Sequence, residues 1–150
     1  MIALQYVKIK KKLVRDLSPA EYLKLSRFNF RWDGKMQLFY QTSRKRKNDT
    51  DFVVLIYYFG RLIGHSLSFR RIDDDYIQNH PDCPMQNHYY VHFWIHKGYR
   101  GQGFGRLLMK KTIRRHPKTN HLIFEEYDNR SYHFFTNTVL KHKKRALQII

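Results

Sequence analysis

The stretch HKGYRGQGFGRLLMKK, residues 96–111, places an alternating-glycine loop at the start of a basic amphipathic run. Gly101, Gly103 and Gly105 alternate, and Arg100 and Arg106 flank them. Glycine lets the backbone approach a ligand closely, because no Cβ stands in the way. A helix that begins at such a loop presents unpaired N–H groups and the positive end of its dipole. The stretch therefore predicts a loop that binds an anion, with a phosphate group as the expected ligand.

The segments around this loop read as alternating strands and helices. Residues 89–95, YYVHFWI, are strongly β-prone and lead directly into the loop. The run after the loop has one apolar side and one basic stripe at helical spacing, and Pro117 ends it. Residues 121–128 are the next predicted strand, 129–137 a short helix or turn, and 139–150 one or two closing strands.

The first half of the chain predicts a strand, a helix and a hairpin. Apolar and lysine residues alternate around Val7, which is typical of a strand with one exposed face. Ser18 and Glu21 form a capping box and Pro19 lies at the first helical position, so a helix should begin there. Residues 52–69 contain two β-branched and aromatic runs on either side of a glycine-containing turn, which predicts a strand pair.

Length and charge restrict the class of protein. The 150 residues and the 42% hydrophobic fraction predict one domain, 1–150, with a buried core. The net charge of +17 attracts polyanions: nucleic acid, the ribosome, an anionic membrane surface or a phosphorylated cofactor. No apolar run is long enough to cross a bilayer, so no membrane partner is expected. A lone Cys83 excludes an intramolecular disulfide framework, which favours a cytoplasmic location.

The long connection before the β-prone run contains three residues that could suggest a metal site. His80, Cys83 and His88 lie close in sequence, but their spacing fits no standard zinc module. No metal site is therefore predicted.

Two common phosphate-binding designs do not fit the glycine loop. A P-loop requires two glycines five positions apart followed by Lys and Ser or Thr, and this spacing is absent here. The dinucleotide-binding fingerprint requires a small residue where Arg106 stands, because the helix must pack closely on its strand there. Too little chain follows the loop to complete a dinucleotide-binding half.

A third design fits. Residues 100–105, RGQGFG, match the R/Q-x-x-G-x-G/A signature of the GNAT superfamily of N-acetyltransferases, which the chain resembles. Ile95 stands at that family's strand-end aliphatic position, Tyr99 matches a frequent Tyr-Arg pair, and the order of elements agrees over the whole chain. The resemblance implies the GNAT fold, an α/β (α+β) arrangement. Its sheet is mixed, mostly antiparallel and twisted, with six or seven strands and about four flanking helices.

The resemblance also implies a co-substrate site for acetyl-CoA. The glycine loop and the helix N-terminus would bind the pyrophosphate. The strand 90–95 would splay from the strand 122–127, and the pantetheine arm would lie in the gap, bonded by backbone groups of the first strand. The residues implied in cofactor binding are Phe93, Trp94, Ile95, Arg100, Gly101, Gln102, Gly103, Phe104, Gly105, Arg106 and Asn129.

The implied catalytic residues follow the family pattern less closely. The family's second block places a tyrosine, often the acid that protonates the CoA thiolate, at Phe135 or at Thr136, depending on the alignment. Tyr132 and Tyr127 are the candidate substitutes, and Tyr132 is the predicted acid. A base must accept the proton of the acceptor ammonium. Glu126 is the predicted base; Glu125 and His92 are alternatives. Tyr89 stands where some relatives carry a glutamate.

Two functions follow from these observations. The first is acetyl transfer from acetyl-CoA to a primary amine by direct attack. The alternative is a catalytically silent GNAT-fold module that binds nucleic acid or a ribonucleoprotein. Basic clusters at 44–47 and 141–145 lie far from the loop in sequence, and acetyl-CoA does not require them. They favour an acceptor attached to RNA, tRNA or a ribosomal protein, because a +17 protein attracts polyanions and repels small cationic amines.

Overall fold

Six strands form one sheet in the computed structural model, which describes residues 2–28, 40–70, 88–124, 134–135, 137–138 and 147–149. The strands follow one another in sequence order across the sheet. They are β1 (Val7–Leu13), β2 (Phe52–Tyr58), β3 (Arg61–Arg70), β4 (His88–Ile95), β5 (His121–Phe124) and β6 (Leu147–Ile149).

The type of strand pairing changes once along the sheet, from antiparallel to parallel. The first four strands pair antiparallel, whereas β5 runs parallel to both β4 and β6. A tight turn with positive φ at Phe59 (+51°) and Gly60 (+75°) joins β2 to β3. A parallel neighbour requires a crossover, and the helix α2 (Phe104–Arg115) provides it between β4 and β5. The predicted mixed, mostly antiparallel sheet is confirmed.

The helix α1 (Pro19–Phe28) begins at the predicted capping box. The Glu21 N–H donates to Ser18 Oγ at 3.1 Å, and the Ser18 N–H donates to Glu21 Oε1 at 2.9 Å. This reciprocal pair satisfies two N–H groups that the helix itself cannot bond. Further helical residues lie at 40–45, 134–135 and 137–138.

The sheet has two buried faces, and among the described elements α1 packs on one and α2 on the other. The face under α1, here called the α1 face, includes Leu55 and Leu67 with Leu25 of the helix. The opposite α2 face includes Ile56 and Ile95 and packs against α2. Because side chains alternate along a strand, neighbouring residues of β3 and β4 belong to different faces.

Buried polar contacts hold α2 on β3. Ser66 Oγ and Thr112 Oγ1 are 2.6 Å apart, and Ser68 Oγ is 2.8 Å from His116 Nε2. The amide Nδ2 of Asn120 lies 3.1 Å from His116 Nδ1. With that amide as donor, Nδ1 accepts and Nε2–H donates to Ser68. These directional bonds determine where the start of α2, and therefore the glycine loop, stands relative to the sheet.

Candidate functional site

The glycine loop lies between the end of β4 and the start of α2. A 3₁₀ turn, Lys97–Tyr99, follows β4, and the backbone then takes positive φ at Gly101 (+75°) and Gly103 (+100°). Side chains other than glycine rarely adopt these conformations without strain. Two of the three glycines are thus required by the backbone path that turns the strand into the helix.

The first turn of α2 has uncapped N–H groups. The Leu107 N–H donates to Gly103 O at 3.2 Å and closes the first helical turn. No side-chain hydrogen bond caps the helix at Gly103, and within the described residues the N–H groups of Phe104, Gly105 and Arg106 have no bonded acceptor. Together with the helix dipole, such groups attract an anion.

The space beside the loop fits a ligand that contacts the backbone. A Cβ added at Gly101 would meet no heavy atom within 4 Å. Gln102 and Arg106 are exposed, and the Gln102 amide donates back to Gly98 O at 3.2 Å. The free N–H groups, the open approach and the cation at Arg106 fit the pyrophosphate of acetyl-CoA.

Gly105 serves a different purpose from the other two glycines. A Cβ at this position would lie 3.1 Å from two ring atoms of Phe134, and 3.8 Å from Ile95 Cγ1. Gly105 therefore lets α2 pack closely against aromatic and aliphatic side chains. The sequence pattern alone does not separate this packing role from ligand contact.

Arg100 holds the loop against β4. Its Nε donates to Ile95 O at 2.7 Å, and its guanidinium carbon lies 4.5 Å from the centroid of the Trp94 ring. A guanidinium over an indole is a favourable cation–π arrangement. Arg100 was expected from the sequence to add charge at the phosphate; the structure shows in addition that its Nε is bonded within the loop.

The predicted splay of the strand 90–95 from the strand 122–127 is tested only at its beginning, where the two strands are paired. Tyr90 pairs with Ile123 and Val91 with Phe124, in regular parallel register. The described pairing ends there, while β4 continues beside β3 as far as the Gly64–Ile95 pair. The backbone bonds of a regular ladder keep two strands together, so any gap can begin only beyond Val91.

The predicted catalytic pair lies outside the described residues. These are Glu126 and Tyr132, and with them Asn129 and the alternatives Glu125 and Tyr127. Their roles stay predictions.

Phe135 and His92 are described. Phe135, one of the two positions for the family tyrosine, is buried and lies with its ring centroid 5.5 Å from that of Phe124. The ring of His92 stacks on Phe69 at 5.1 Å. Phe135 is therefore a packed core side chain, whereas His92 is half-buried beside Phe69.

Sequence reasoning missed a pair of side chains on the α1 face. His65 of β3 lies directly opposite Trp94 of β4. His65 is 5% exposed, and burial lowers its pKa to about 4, so its ring is neutral near pH 7. Within the described part of the chain, the buried atoms His65 Nδ1 and Trp94 Nε1 have no hydrogen-bond partner. The available signal was a histidine within the apolar run of 61–69.

Only one of the two basic clusters, residues 44–47, lies in the described part of the chain. Residues 141–145 lie outside the described part of the chain. Arg44 donates to Tyr40 Oη at 3.1 Å, and Lys47 O accepts from Arg15 at 2.8 Å. The cluster 44–47 therefore lies near the end of β1 where Leu13 pairs with Phe52, away from the glycine loop.

The described residues hold neither a metal-binding cluster nor a membrane-spanning helix. They contain no group of three or more His, Cys, Asp or Glu side chains arranged to hold a metal ion. Within the same residues, no helix has the length and apolar character needed to cross a membrane.

Solved structures with a similar fold are acetyltransferases. An aminoglycoside acetyltransferase from an uncultured soil metagenomic sample, in complex with sisomicin, is 17% identical, with 89% of this chain and 88% of that chain covered and a TM-score of 0.62. YncA, a putative acetyltransferase from Salmonella typhimurium with acetyl-CoA, is 13% identical, with coverages of 88% and 78% and a TM-score of 0.63. A ribosomal-protein-alanine N-acetyltransferase from Brucella melitensis is 11% identical, with coverages of 87% and 89% and a TM-score of 0.55.

Sequence comparison agrees with the fold. No curated protein sequence is significantly similar to the chain. The model of the acetyltransferase (GNAT) family matches residues 13–137, most of the chain, and includes the whole glycine loop. The chain therefore belongs to the GNAT family of acetyltransferases, whose members use acetyl-CoA as co-substrate.

Proposed function

We propose that this protein transfers the acetyl group of acetyl-CoA to a primary amine. The observation that carries the proposal is the uncapped first turn of α2 behind an open glycine loop. Three free N–H groups and a helix dipole there favour a diphosphate over any neutral ligand. The family membership supplies the reaction class.

In this proposal, different residues of the loop and of α2 have different roles in binding acetyl-CoA. The N–H groups of Phe104, Gly105 and Arg106 bind the pyrophosphate, and Arg106 adds a positive charge. Arg100 keeps the loop attached to the end of β4 through Ile95 O. Because the loop follows β4 directly, anchoring the pyrophosphate there directs the pantetheine arm back along that strand.

The chemical step is a direct displacement. The acceptor nitrogen forms a bond to the acetyl carbon, and the carbon–sulfur bond breaks to release the CoA thiolate. In this proposal Glu126 takes the proton from the acceptor ammonium, and Tyr132 gives a proton to the thiolate. Glu126→Gln and Tyr132→Phe should each lower kcat about a hundredfold with acetyl-CoA affinity retained. A variant with unchanged kcat removes that residue from the mechanism.

The acceptor in this proposal is an amine attached to RNA or a ribonucleoprotein. The structural relatives do not restrict the choice, since one is named for aminoglycosides and another for a ribosomal protein alanine. The net charge of +17 does restrict the choice of acceptor, because it repels a small polycation and attracts a polyanion. An aminoacyl-tRNA or a ribosomal protein meets this requirement.

Two measurements test the proposal. Calorimetric titration with acetyl-CoA should give a saturable affinity, and no binding at high micromolar concentration contradicts it. A CoA-release assay across peptides, polyamines, aminoglycosides, aminoacyl-tRNA and ribosomes then identifies the acceptor. Turnover confined to polyamines or aminoglycosides keeps the acetyltransferase and rejects the RNA-linked acceptor.

A further inference from the structure

A groove of about 630 Å³ lies on the exposed end of the edge strand β1, next to the β2–β3 turn. We call it the basic groove; it is lined by Gln5, Tyr6, Val7, Lys8, Lys10, Tyr57, Phe59 and Gly60. We propose that it binds a single-stranded segment of nucleic acid, with lysines at the phosphates and aromatic rings at the bases.

The cations of the groove are not neutralised. Lys8 and Lys10 are exposed and lie on the α1 face, two residues apart on the same side of β1. Among the described residues neither forms an ion pair, whereas Lys12, next on the same face, is bonded to Glu21 at 2.8 Å. Among the described residues that line the groove there is no carboxylate. Lys10 Nζ lies 5.5 Å from the centroid of the Tyr57 ring, a contact that does not neutralise its charge, and two ammonium groups in a concave surface attract an anionic ligand.

The aromatic side of the groove is exposed and held in an unusual conformation. Phe59 is 63% exposed and Tyr6 46%, and their rings stack with centroids 4.1 Å apart. Phe59 has φ +51°, a region that a bulky side chain rarely adopts, and its N–H donates to Tyr6 O at 3.0 Å. Backbone strain of this kind persists where the surrounding structure maintains it, and it concentrates at binding sites. The Phe59 ring also has a T-shaped contact with Tyr58 at 4.6 Å, and the exposed part of the stacked pair is the surface that a planar ligand would contact.

Single-stranded nucleic acid uses both features at once. Proteins that bind it place cations along the backbone and aromatic rings under the bases. A duplex offers its phosphates but not its base faces, and a simple acidic peptide has no planar group for the stacked rings. Charge and ring exposure together therefore select an unpaired nucleotide segment.

The groove lies at the same end of the sheet as the glycine loop. Tyr58 accepts the Ala3 N–H at 3.2 Å, and its ring centroid is 4.8 Å from that of Phe104 at the start of α2. An RNA segment in the groove would thus bring an attached amine to the end of the molecule that binds acetyl-CoA. This last step rests on the proposed function, but nucleic-acid binding itself does not.

Lysine variants of the full chain test the charge. Fluorescence anisotropy with a labelled single-stranded RNA, over a range of salt concentrations, gives the slope of log K against log salt. Lys8→Gln with Lys10→Gln should reduce the magnitude of this slope by about 1.4, because each phosphate contact on a single strand contributes about 0.7. Lys24→Gln with Lys118→Gln removes the same charge from two exposed positions outside the groove and outside the cluster 44–47, and should leave the slope unchanged.

Phe59 variants test the stacking. Phe59→Asn tolerates the positive φ but removes the ring, and should weaken RNA binding about tenfold or more. Phe59→Tyr retains the ring and should bind like the wild type. Equal thermal midpoints confirm that both variants are folded.

Several results would overturn the proposal. These are no RNA binding by the wild type at about 100 mM salt, equal effects of the two lysine pairs, or equal affinity for duplex RNA, polyglutamate or anionic vesicles. Acetyl-CoA titrations separate the two proposals. If Lys8→Gln with Lys10→Gln abolishes acetyl-CoA binding, the groove belongs to the co-substrate site. If no protein binds acetyl-CoA but the RNA results hold, only the enzyme proposal fails.

Discussion

The glycine loop and the His65–Trp94 pair lie at the same end of β4 but are built in different ways. The loop presents backbone N–H groups of consecutive residues, and its geometry follows from glycine φ angles at Gly101 and Gly103. The pair joins side chains 29 positions apart that meet only because β3 and β4 are in register. A ligand site made of backbone is local in sequence, whereas a site made of side chains depends on the sheet.

The largest expected effect is on the pH dependence of stability, and it comes from His65 of the buried pair. The pKa of His65 is about 4 in the folded protein against 6.5 for an unperturbed histidine, so the unfolded chain binds a proton more readily between these values. The contribution of His65 to stability is complete above pH 6.5 and is lost as the pH falls toward 4. This pKa difference corresponds to about 3 kcal/mol in the free energy of unfolding.

Urea unfolding of wild type and His65→Leu at several pH values measures this effect. The free energy of unfolding of the wild type should fall more steeply with acid than that of the variant, which lacks the titrating group. Parallel curves for the two proteins would show that His65 is not buried as a neutral ring.

The next largest effect is expected on acetyl-CoA binding by variants of Gly101, where the backbone of the glycine loop is open. Gly101→Asp and Gly101→Asn introduce side chains of nearly equal size, and both residues tolerate positive φ better than most. The aspartate adds a charge beside the diphosphate and should weaken acetyl-CoA binding about thirtyfold relative to the asparagine variant. Calorimetry measures both affinities. Equal affinities would place the pyrophosphate away from Gly101.

A smaller effect is expected where α2 meets the sheet. Thr112→Val leaves the buried Ser66 hydroxyl without its partner at 2.6 Å and should lower the free energy of unfolding by about 2 kcal/mol. Thr112→Ser keeps the hydroxyl and serves as the matched control. The double variant Ser66→Ala with Thr112→Val should recover part of the loss. A double variant as unstable as the sum of the single changes would contradict this coupling.

The smallest effect is expected on the acetyl-CoA affinity of Arg100 variants. These variants test whether Arg100 acts through its charge or through its contacts with β4. Arg100→Lys keeps the positive charge but loses the Nε bond to Ile95 O and the planar contact with Trp94. If Arg100 acts by holding the loop, this variant should bind acetyl-CoA several-fold more weakly, about as poorly as Arg100→Ala. Full affinity in the lysine variant would show that charge alone matters.

Much of the fold was readable from the sequence because its signals are local. The capping box at Ser18 and Glu21, the turn at Gly60 and the β-prone run of β4 each depend on neighbouring residues. The strand splay was predicted from a resemblance without the point at which it begins, because the register of β4 with β5 is a long-range property. The base and acid stay predictions at Glu126 and Tyr132.

By itself the sequence determined the family, the order of the main elements and the anion-binding loop, since glycine spacing and periodicity express backbone requirements directly. Only the tertiary structure decided which residues share a surface. It separated Gly105, which packs on Phe134, from Gly101, which faces open space. It also placed Lys8 and Lys10 beside Phe59, about fifty residues away in sequence. The physical reason is that contacts between strands depend on register, and no short stretch of sequence specifies register.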